Sequence, residues 1–432
     1  MIQASLIVGY TALFLWVINR NALYRLKDIH PIWLTLAFIA KIGAGCFIGW
    51  LYYGYYADAT TADTIKFFND GNLLFSTIHH HPRHFLMMLT GIGGKSAELT
   101  PYYEQMSAWL NKDVLFNDNK TIIRLNAFFR FFSLGNYYVH VVFINFISFT
   151  GLICLYRTFE SHLRGKGGSL FLALMFYPSL LIWGSGLLKD GLLLFALGVL
   201  LFTFDRVLSG NRKRIYLVCL AGSLFLLLFT KFYVIAAILP GLTAWLLLKN
   251  ADRKWTMPGF MLVYLVFLLI AFNLYRLNPG WNLSDMIYWK QKNFLMQADL
   301  THAGSKIQIP ELGLGAWSIL TNAPGALLRA LVRPGLFDDL SNPMVLMAAI
   351  ENTLLLLFVA YLLFLRREQP AARPEPITAF SLLTTIVLLT LIGLITPILG
   401  ALVRYKVVAL PFLAYLVLRY SKPPSFLSIS KK

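Results

Sequence analysis

Between Tyr56 and Gly71 the sequence runs YADATTADTIKFFNDG, and its three carboxylates, Asp58, Asp63 and Asp70, have the chemistry of a general base. Acidic residues are scarce, 20 Asp and Glu against 38 Lys and Arg, so three together after a long apolar segment ask for a role. Asp63 is the leading candidate to take a proton from an acceptor hydroxyl, with Asp58 and Asp70 as alternates. Asp63 also precedes Thr64-Ile65-Lys66-Phe67-Phe68, where a carboxylate would equally cap a helix. The two roles are compatible, because a helix start holds a carboxylate in place.

A second group is cationic. Lys189, Lys231, Arg333, Arg404 and Lys406 stand at the ends of apolar runs, where a charge is costly and marks a binding candidate. A phosphate or diphosphate lipid head would be their natural partner. The competing role is snorkelling to the membrane surface, and Lys406 is expected to be such an anchor. Asp190 adjoins Lys189 and is read as its ion-pair partner or as a further substrate-binding group. Asp338 and Asp339, in RPGLFDDLSNP, suit substrate hydroxyls or a divalent cation, although acids before Asn-Pro are also turn formers. Glu351 lies inside an apolar run and is expected to pair with a cation or with Asn352.

His79, His80, His81 and His84 resemble a metal cluster. Consecutive helical positions diverge by about 100°, however, and Pro82 interrupts the run, so a solvated turn is expected and no metal site is assigned. The sequence contains no CxxC, HExxH, GxSxG, Walker or dinucleotide-binding pattern.

The elements that must position these groups follow from composition. The chain is 58% apolar, 15% aromatic and 13% charged, and its mean hydropathy is +0.64. A soluble domain is nearer a quarter charged, so an all-α polytopic membrane protein is expected, a single integral membrane domain over residues 1–432. Apolar runs suggest eleven spans: about 3–18, 32–54, 136–156, 169–186, 190–204, 215–230, 232–248, 258–275, 344–365, 377–396 and 405–419. Pro178, Gly184 and Pro240 predict broken or kinked helices among the short middle spans.

Basic runs such as Arg212-Lys213-Arg214 and Arg366-Arg367 fall in alternate short loops, placing the N-terminus outside and the C-terminus in the cytoplasm. The net charge of +18 is thus a topology signal, and nucleic acid is not an expected partner. The first ten residues lack a charged start, so no cleaved signal peptide is expected. Two long outer loops, 55–135 and 276–343, carry amphipathic stretches at 64–78, 83–92 and 121–135 in the first and further ones in the second. The stretch at 121–135 is expected to run on into the third span.

Taken together, Ala62-Asp63-Thr64 in an outer loop, PSLLIWGSGLLKDGL (178–192), RPGLFDD (333–339) with Ile350-Glu351-Asn352, and RYKVVALPFL (404–413) resemble bacterial membrane glycosyltransferases of the GT-C type. The resemblance is diffuse and spans about residues 40–415. It implies inverting transfer of a sugar from a polyprenyl-phosphate donor to a lipid-linked or envelope acceptor at the periplasmic face of the bacterial inner membrane. Carried across, Asp63 is the base, while Lys189 and Arg404 hold the donor phosphate; Lys231, Asp190, Arg333 and Asp338 complete the expected substrate-binding set. One extra span precedes the acidic loop, and Ala-Asp-Thr replaces a clean DxD, which leaves a divalent cofactor open. The rival reading is a polysaccharide repeat-unit polymerase, whose Arg-to-Gly spacing of eleven is met by Arg83 with Gly94 and by Arg124 with Gly135. A lipid or polysaccharide transporter is disfavoured by the lack of a duplicated half.

Overall fold

The computed structural model describes residues 2–55, 62–109, 119–163, 165–338, 343–364 and 374–420. It is 80% helical, and no strand forms among the described residues. Six helices are long and apolar enough to cross a membrane, or seven if one bent pair counts as a single span. This is an all-α membrane protein, and lipid explains why: only a helix satisfies its own backbone without water. Asp58 and Asp339 lie outside the described residues.

The chain forms two compact units that divide after Phe232. The first contains α1 (Ile2–Arg20), α2 (Pro31–Trp50), α3 (Asp63–Ser76), α4 (Pro82–Thr90), α5 (Thr100–Gln105), α6 (Asn119–Ser133), α7 (Tyr137–Glu160), α8 (Gly167–Met175), α9 (Pro178–Trp183), α10 (Lys189–Leu208) and α11 (Arg214–Thr230). Their starts follow local chemistry. Pro31 opens α2 with the His30 ring accepting from the Ile32 N–H, and Asn136 caps α7 by accepting from the Tyr138 and Val139 N–H groups.

Two expected continuities are broken. α6 does not run into α7: it ends at Ser133, and Gly135 turns the chain at a φ of +79°, a conformation that suits glycine. The expected span 169–186 is two short helices, because Pro178 has no N–H to give and disfavours helix at Tyr177. Pro240, by contrast, lies inside a helix that continues through it.

α7 is the axis of this unit and packs on α1, α2, α6, α8 and α10. It meets α10 backbone to backbone. A Cβ at Gly198 would lie 2.0 Å from the Gly151 carbonyl oxygen, and one at Gly151 would lie 2.3 Å from Phe195 Cα. Small residues permit this approach, which in lipid replaces the hydrophobic effect as the source of packing.

Beside the seam, Lys41 of α2 is fully buried, and its Nζ donates to the Gly184 carbonyl at 3.0 Å and to Ser185 Oγ at 3.1 Å. Asn145 of α7 donates to the Ser185 carbonyl at 2.9 Å. These two side chains hold the turn between α9 and α10.

The second unit contains α12 (Phe232–Leu248), α13 (Thr256–Asn273), α14 (Leu283–Leu300), α15 (Ala316–Val332), α16 (Pro343–Phe364), α17 (Pro376–Ile395), α18 (Leu399–Lys406) and α19 (Leu410–Tyr420), with α12 starting at the boundary. Its axis is α17, packed on α13, α14, α15, α18 and α19. A Cβ at Gly393 would lie 2.0 Å from the Ala326 carbonyl oxygen, so α15 and α17 meet as closely as α7 and α10 do. The expected span 405–419 is not one helix: α18 and α19 bend by 62° across 407–409. α14 and α15 occupy the second long loop.

The glycine seam is testable. Gly198→Leu is expected to lower the thermal midpoint in detergent by the equivalent of about 1–3 kcal/mol or more, since a fixed carbonyl blocks the new side chain. Gly222→Leu on α11, where a Cβ would meet nothing within 4 Å, is expected to leave the midpoint unchanged. Equal melting of the two variants would refute the seam.

Candidate functional site

α3 organises the first loop through one face. Asp63, Phe67, Asp70 and Leu74 follow one another at spacings of four, three and four, which places them along a single stripe of the helix. Asp70 is 2% exposed and accepts from the Ser107 N–H at 2.9 Å and the Ala108 N–H at 2.7 Å. The Ala108 carbonyl accepts from Asn119 Nδ2 at 2.9 Å, and Asn119 Oδ1 accepts from Lys189 Nζ at 2.8 Å. Lys189 Nζ in turn sits 5.6 Å from the centre of the Phe67 ring. The contacts form a closed circuit from α3 through 107–109, the first turn of α6 and the first residue of α10, then back to α3.

This circuit brings together the N-termini of two helices, α6 and α10. A helix start carries partial positive charge, and Lys189 and Lys120 add two full charges at these two. The result is a spot electrostatically suited to an anion. Asp63 is one turn along α3 from Phe67. It is exposed and is the first helical residue; Ala62 holds the N-cap position and makes no side-chain cap bond. Asp63 therefore occupies the first turn, where a carboxylate is favoured by the helix dipole.

The remaining expected residues of this unit engage each other. Lys231 Nζ and Asp190 Oδ1 are 2.9 Å apart, with side chains 5% and 2% exposed. A pair so thoroughly removed from water joins the end of α11 to the start of α10. Asp70 likewise serves as an anchor. Burial raises its carboxyl above the usual range, outweighing the lowering by the Ala108 and Ser107 N–H groups and by Lys66.

In the second unit Arg333 Nε lies 3.5 Å from Asp338 Oδ1, and Asp338 Oδ2 accepts from the Gly335 N–H at 2.8 Å, so this acid closes its own turn. Lys406 is not a surface anchor. It is 8% exposed and donates to the Arg333 carbonyl and to Asn352 Oδ1, both at 3.0 Å. Asn352 Nδ2 donates to the Val332 carbonyl at 2.7 Å and the Pro334 carbonyl at 3.1 Å. Glu351 is within electrostatic reach of Lys406, as its place in an apolar helix suggested. Arg404 is half-buried on α18, two residues before Lys406.

The nine candidates thus separate. Asp63, Asp70, Lys189, Asp190 and Lys231 belong to the first unit and Arg333, Asp338 and Arg404 to the second, with Asp58 outside the described residues. Sequence reasoning missed Lys41, although a lone lysine inside IWLTLAFIAKIGAGCFIGW was a legible signal. It also missed Asn119, which no pattern distinguishes from a turn residue, and it named Asn352 only as an expected partner of Glu351, not as the donor to the carbonyls at the end of α15.

Each of the two Arg–Gly spacings joins a helix residue to a turn beyond that helix. Gly135 lies against the Arg130 guanidinium at the end of α6, whereas Arg124 sits in its second turn. Gly94 accepts from the Tyr103 hydroxyl at 2.8 Å, and Arg83 is exposed on α4. Among the histidines, His84 Nε2 lies 3.2 Å from Glu98 Oε2. No group of three or more His, Cys, Asp or Glu able to hold a metal occurs among the described residues.

Asp70→Ala is expected to destabilise the protein by about 1–3 kcal/mol, because the buried Ala108 N–H loses its acceptor. The raised carboxyl also means that the folded chain holds this proton more tightly than the unfolded chain. Stability should therefore fall as pH rises from the unfolded-state value through the folded-state one, then level off. Thermal midpoints measured against pH should show this slope in the native protein and lose it in Asp70→Ala; identical profiles would remove the anchor. Comparison of the chain with protein-family models, with curated proteins and with solved structures yields no match.

Proposed function

We propose that the protein is a membrane glycosyltransferase that moves a sugar, with inversion, from a polyprenyl-phosphate donor to a lipid-linked or envelope acceptor. The observation that carries this reading is the meeting of the α6 and α10 N-termini through the Lys189–Asn119 hydrogen bond, with Asp63 one helical turn from the Phe67 ring beneath Lys189. In the proposed reaction the Asp63 carboxylate takes the acceptor hydroxyl proton as that oxygen attacks the anomeric carbon. The bond from that carbon to the phosphate oxygen breaks, and the lipid phosphate leaves with the electron pair. Lys189 and the two helix N-termini neutralise the charge that develops on the leaving phosphate. The first turn of α3 is a place where a carboxylate is favoured, and a base needs that form.

The membrane setting proposed with it is the bacterial inner membrane, with both long loops periplasmic, the N-terminus outside and the C-terminus cytoplasmic. Counting α18 and α19, the three shorter apolar helices and the broken α8–α9 segment as one crossing each brings the six long helices to eleven spans. Helices of 17 residues reach about 25 Å, short of the roughly 30 Å hydrocarbon thickness. That shortfall suits the burial of Lys231 at the end of α11.

Two substitutions test the reading in purified, reconstituted protein supplied with polyprenyl-phosphate sugars. Asp63→Asn is expected to lower turnover at least about a hundredfold, the usual contribution of a positioned base, while costing only the roughly 0.3–1 kcal/mol of a first-turn carboxylate in stability. Lys189→Ala is expected to weaken donor binding about tenfold or more, the loss of one charge-assisted contact. Undiminished turnover in the first variant would remove Asp63 as base, and undiminished donor affinity in the second would remove Lys189 from the phosphate. Products longer than one added sugar would favour polymerisation.

A further inference from the structure

A second cationic feature of the first unit pairs Lys120 with Arg124, and neither takes part in the transfer step proposed above. Lys120 and Arg124 are four residues apart on α6, hence on one face, where two like charges repel. Both stand over the same indole: Lys120 Nζ is 5.1 Å and the Arg124 guanidinium carbon 5.5 Å from the centre of the Trp109 ring. Trp109 is 2% exposed, stacks on Tyr103 at 5.1 Å and follows the Ser107-Ala108 amides anchored by Asp70, so the platform is fixed.

The guanidinium is also aimed. Its Nε donates to the Met88 carbonyl at 2.9 Å, which leaves its terminal N–H groups to face elsewhere. The turn beside it is cut to fit, since a Cβ on Gly91 would lie 2.7 Å from Arg124 Nη2, and Gly91 has a φ of +83°. Among the described residues, neither Lys120 nor Arg124 makes an ion pair. The surroundings of Lys120 are adverse to its charge: burial, then Arg124 and Lys95, push its pKa down. Two half-buried cations held together on a rigid ring are what a dianion would offset.

We propose that Lys120 and Arg124, seated on Trp109, form a binding site for a phosphate group, carried either by a lipid head or by free phosphate. The guanidinium supplies paired N–H donors in a plane and the ammonium supplies a point charge beside it. The apolar ring beneath excludes water from one side and limits the swing of both side chains. The site goes beyond the transfer reading and stands without it, because Asp63 and Lys189 take no part in it.

The test is site-specific protection of Lys120 from an amine-acylating reagent, read by peptide mass spectrometry on the full-length protein. One arm adds inorganic phosphate to protein in an uncharged detergent. The other compares nanodiscs of phosphatidylcholine alone with nanodiscs containing phosphatidic acid. Lys254, exposed and paired with Asp252, is the internal reference. Phosphate or phosphatidic acid is expected to slow acylation of Lys120 severalfold and leave Lys254 unchanged; protection in one arm alone names the source. In Arg124→Gln the concentration giving half protection is expected to rise about tenfold, as for one lost charge-assisted contact. Should Arg124→Gln fold poorly, Lys120→Gln read by titration calorimetry with inorganic phosphate is expected to show the same loss. No protection by either ligand, or unchanged affinity in a folded variant, would overturn the site.

Discussion

Wherever a helix breaks in apolar surroundings, the carbonyls it frees must find donors, and water is not there to supply them. This constraint accounts for the most conspicuous buried polar side chains in both units. Lys41 and Asn145 serve Gly184 and Ser185 after α9, while Lys406 and Asn352 serve the carbonyls of residues 331–334 after α15. Gln291 of α14 donates to the carbonyls of Pro310 and Leu394 and accepts from the Leu312 N–H, closing the end of α17 onto an irregular stretch. In each case a polar side chain reaches from one helix to the end of another. The breaks are permitted because the donors are there.

The same logic separates charges buried within a unit from those nearer its surface. Lys41, Lys231 and Lys406 spend their charge on carbonyls or on Asp190 deep within their units. Lys189, Lys120 and Arg124 lie instead near the starts of α10 and α6, over aromatic rings that orient them. Position in the sequence does not distinguish these classes. Lys189 and Lys231 both end apolar runs, yet one is half-buried beside a helix start and the other forms a nearly water-free ion pair.

What could be read from the sequence was whatever depends on local periodicity. The long apolar runs, the amphipathic helices at 63–76, 82–90 and 119–133, and the break at Pro178 follow from spacing and from proline. The division of the final segment into α18 and α19 was not legible, because nothing in RYKVVALPFL breaks an apolar pattern before Pro411. The site was legible only in part. Asp63 and Lys189 could be named from residue type and placement, whereas Asn119 acquires its role from a contact 70 residues away. Asp70 could not be told from Asp63, since the deciding fact is that its oxygens face the amides of 107 and 108. Lys406 was misread for a similar reason: an apolar flank suits a snorkelling lysine and a buried one equally.

Because Asp63 and Asp70 ride the same stripe of one short rod, about 10 Å apart by helical rise, neither can shift alone. The amides at 107 and 108 grip one end of a lever, and the other end is the carboxylate that would meet an acceptor. The helix that carries Asp63 is thus tied to peptide groups more than 40 residues further along the chain.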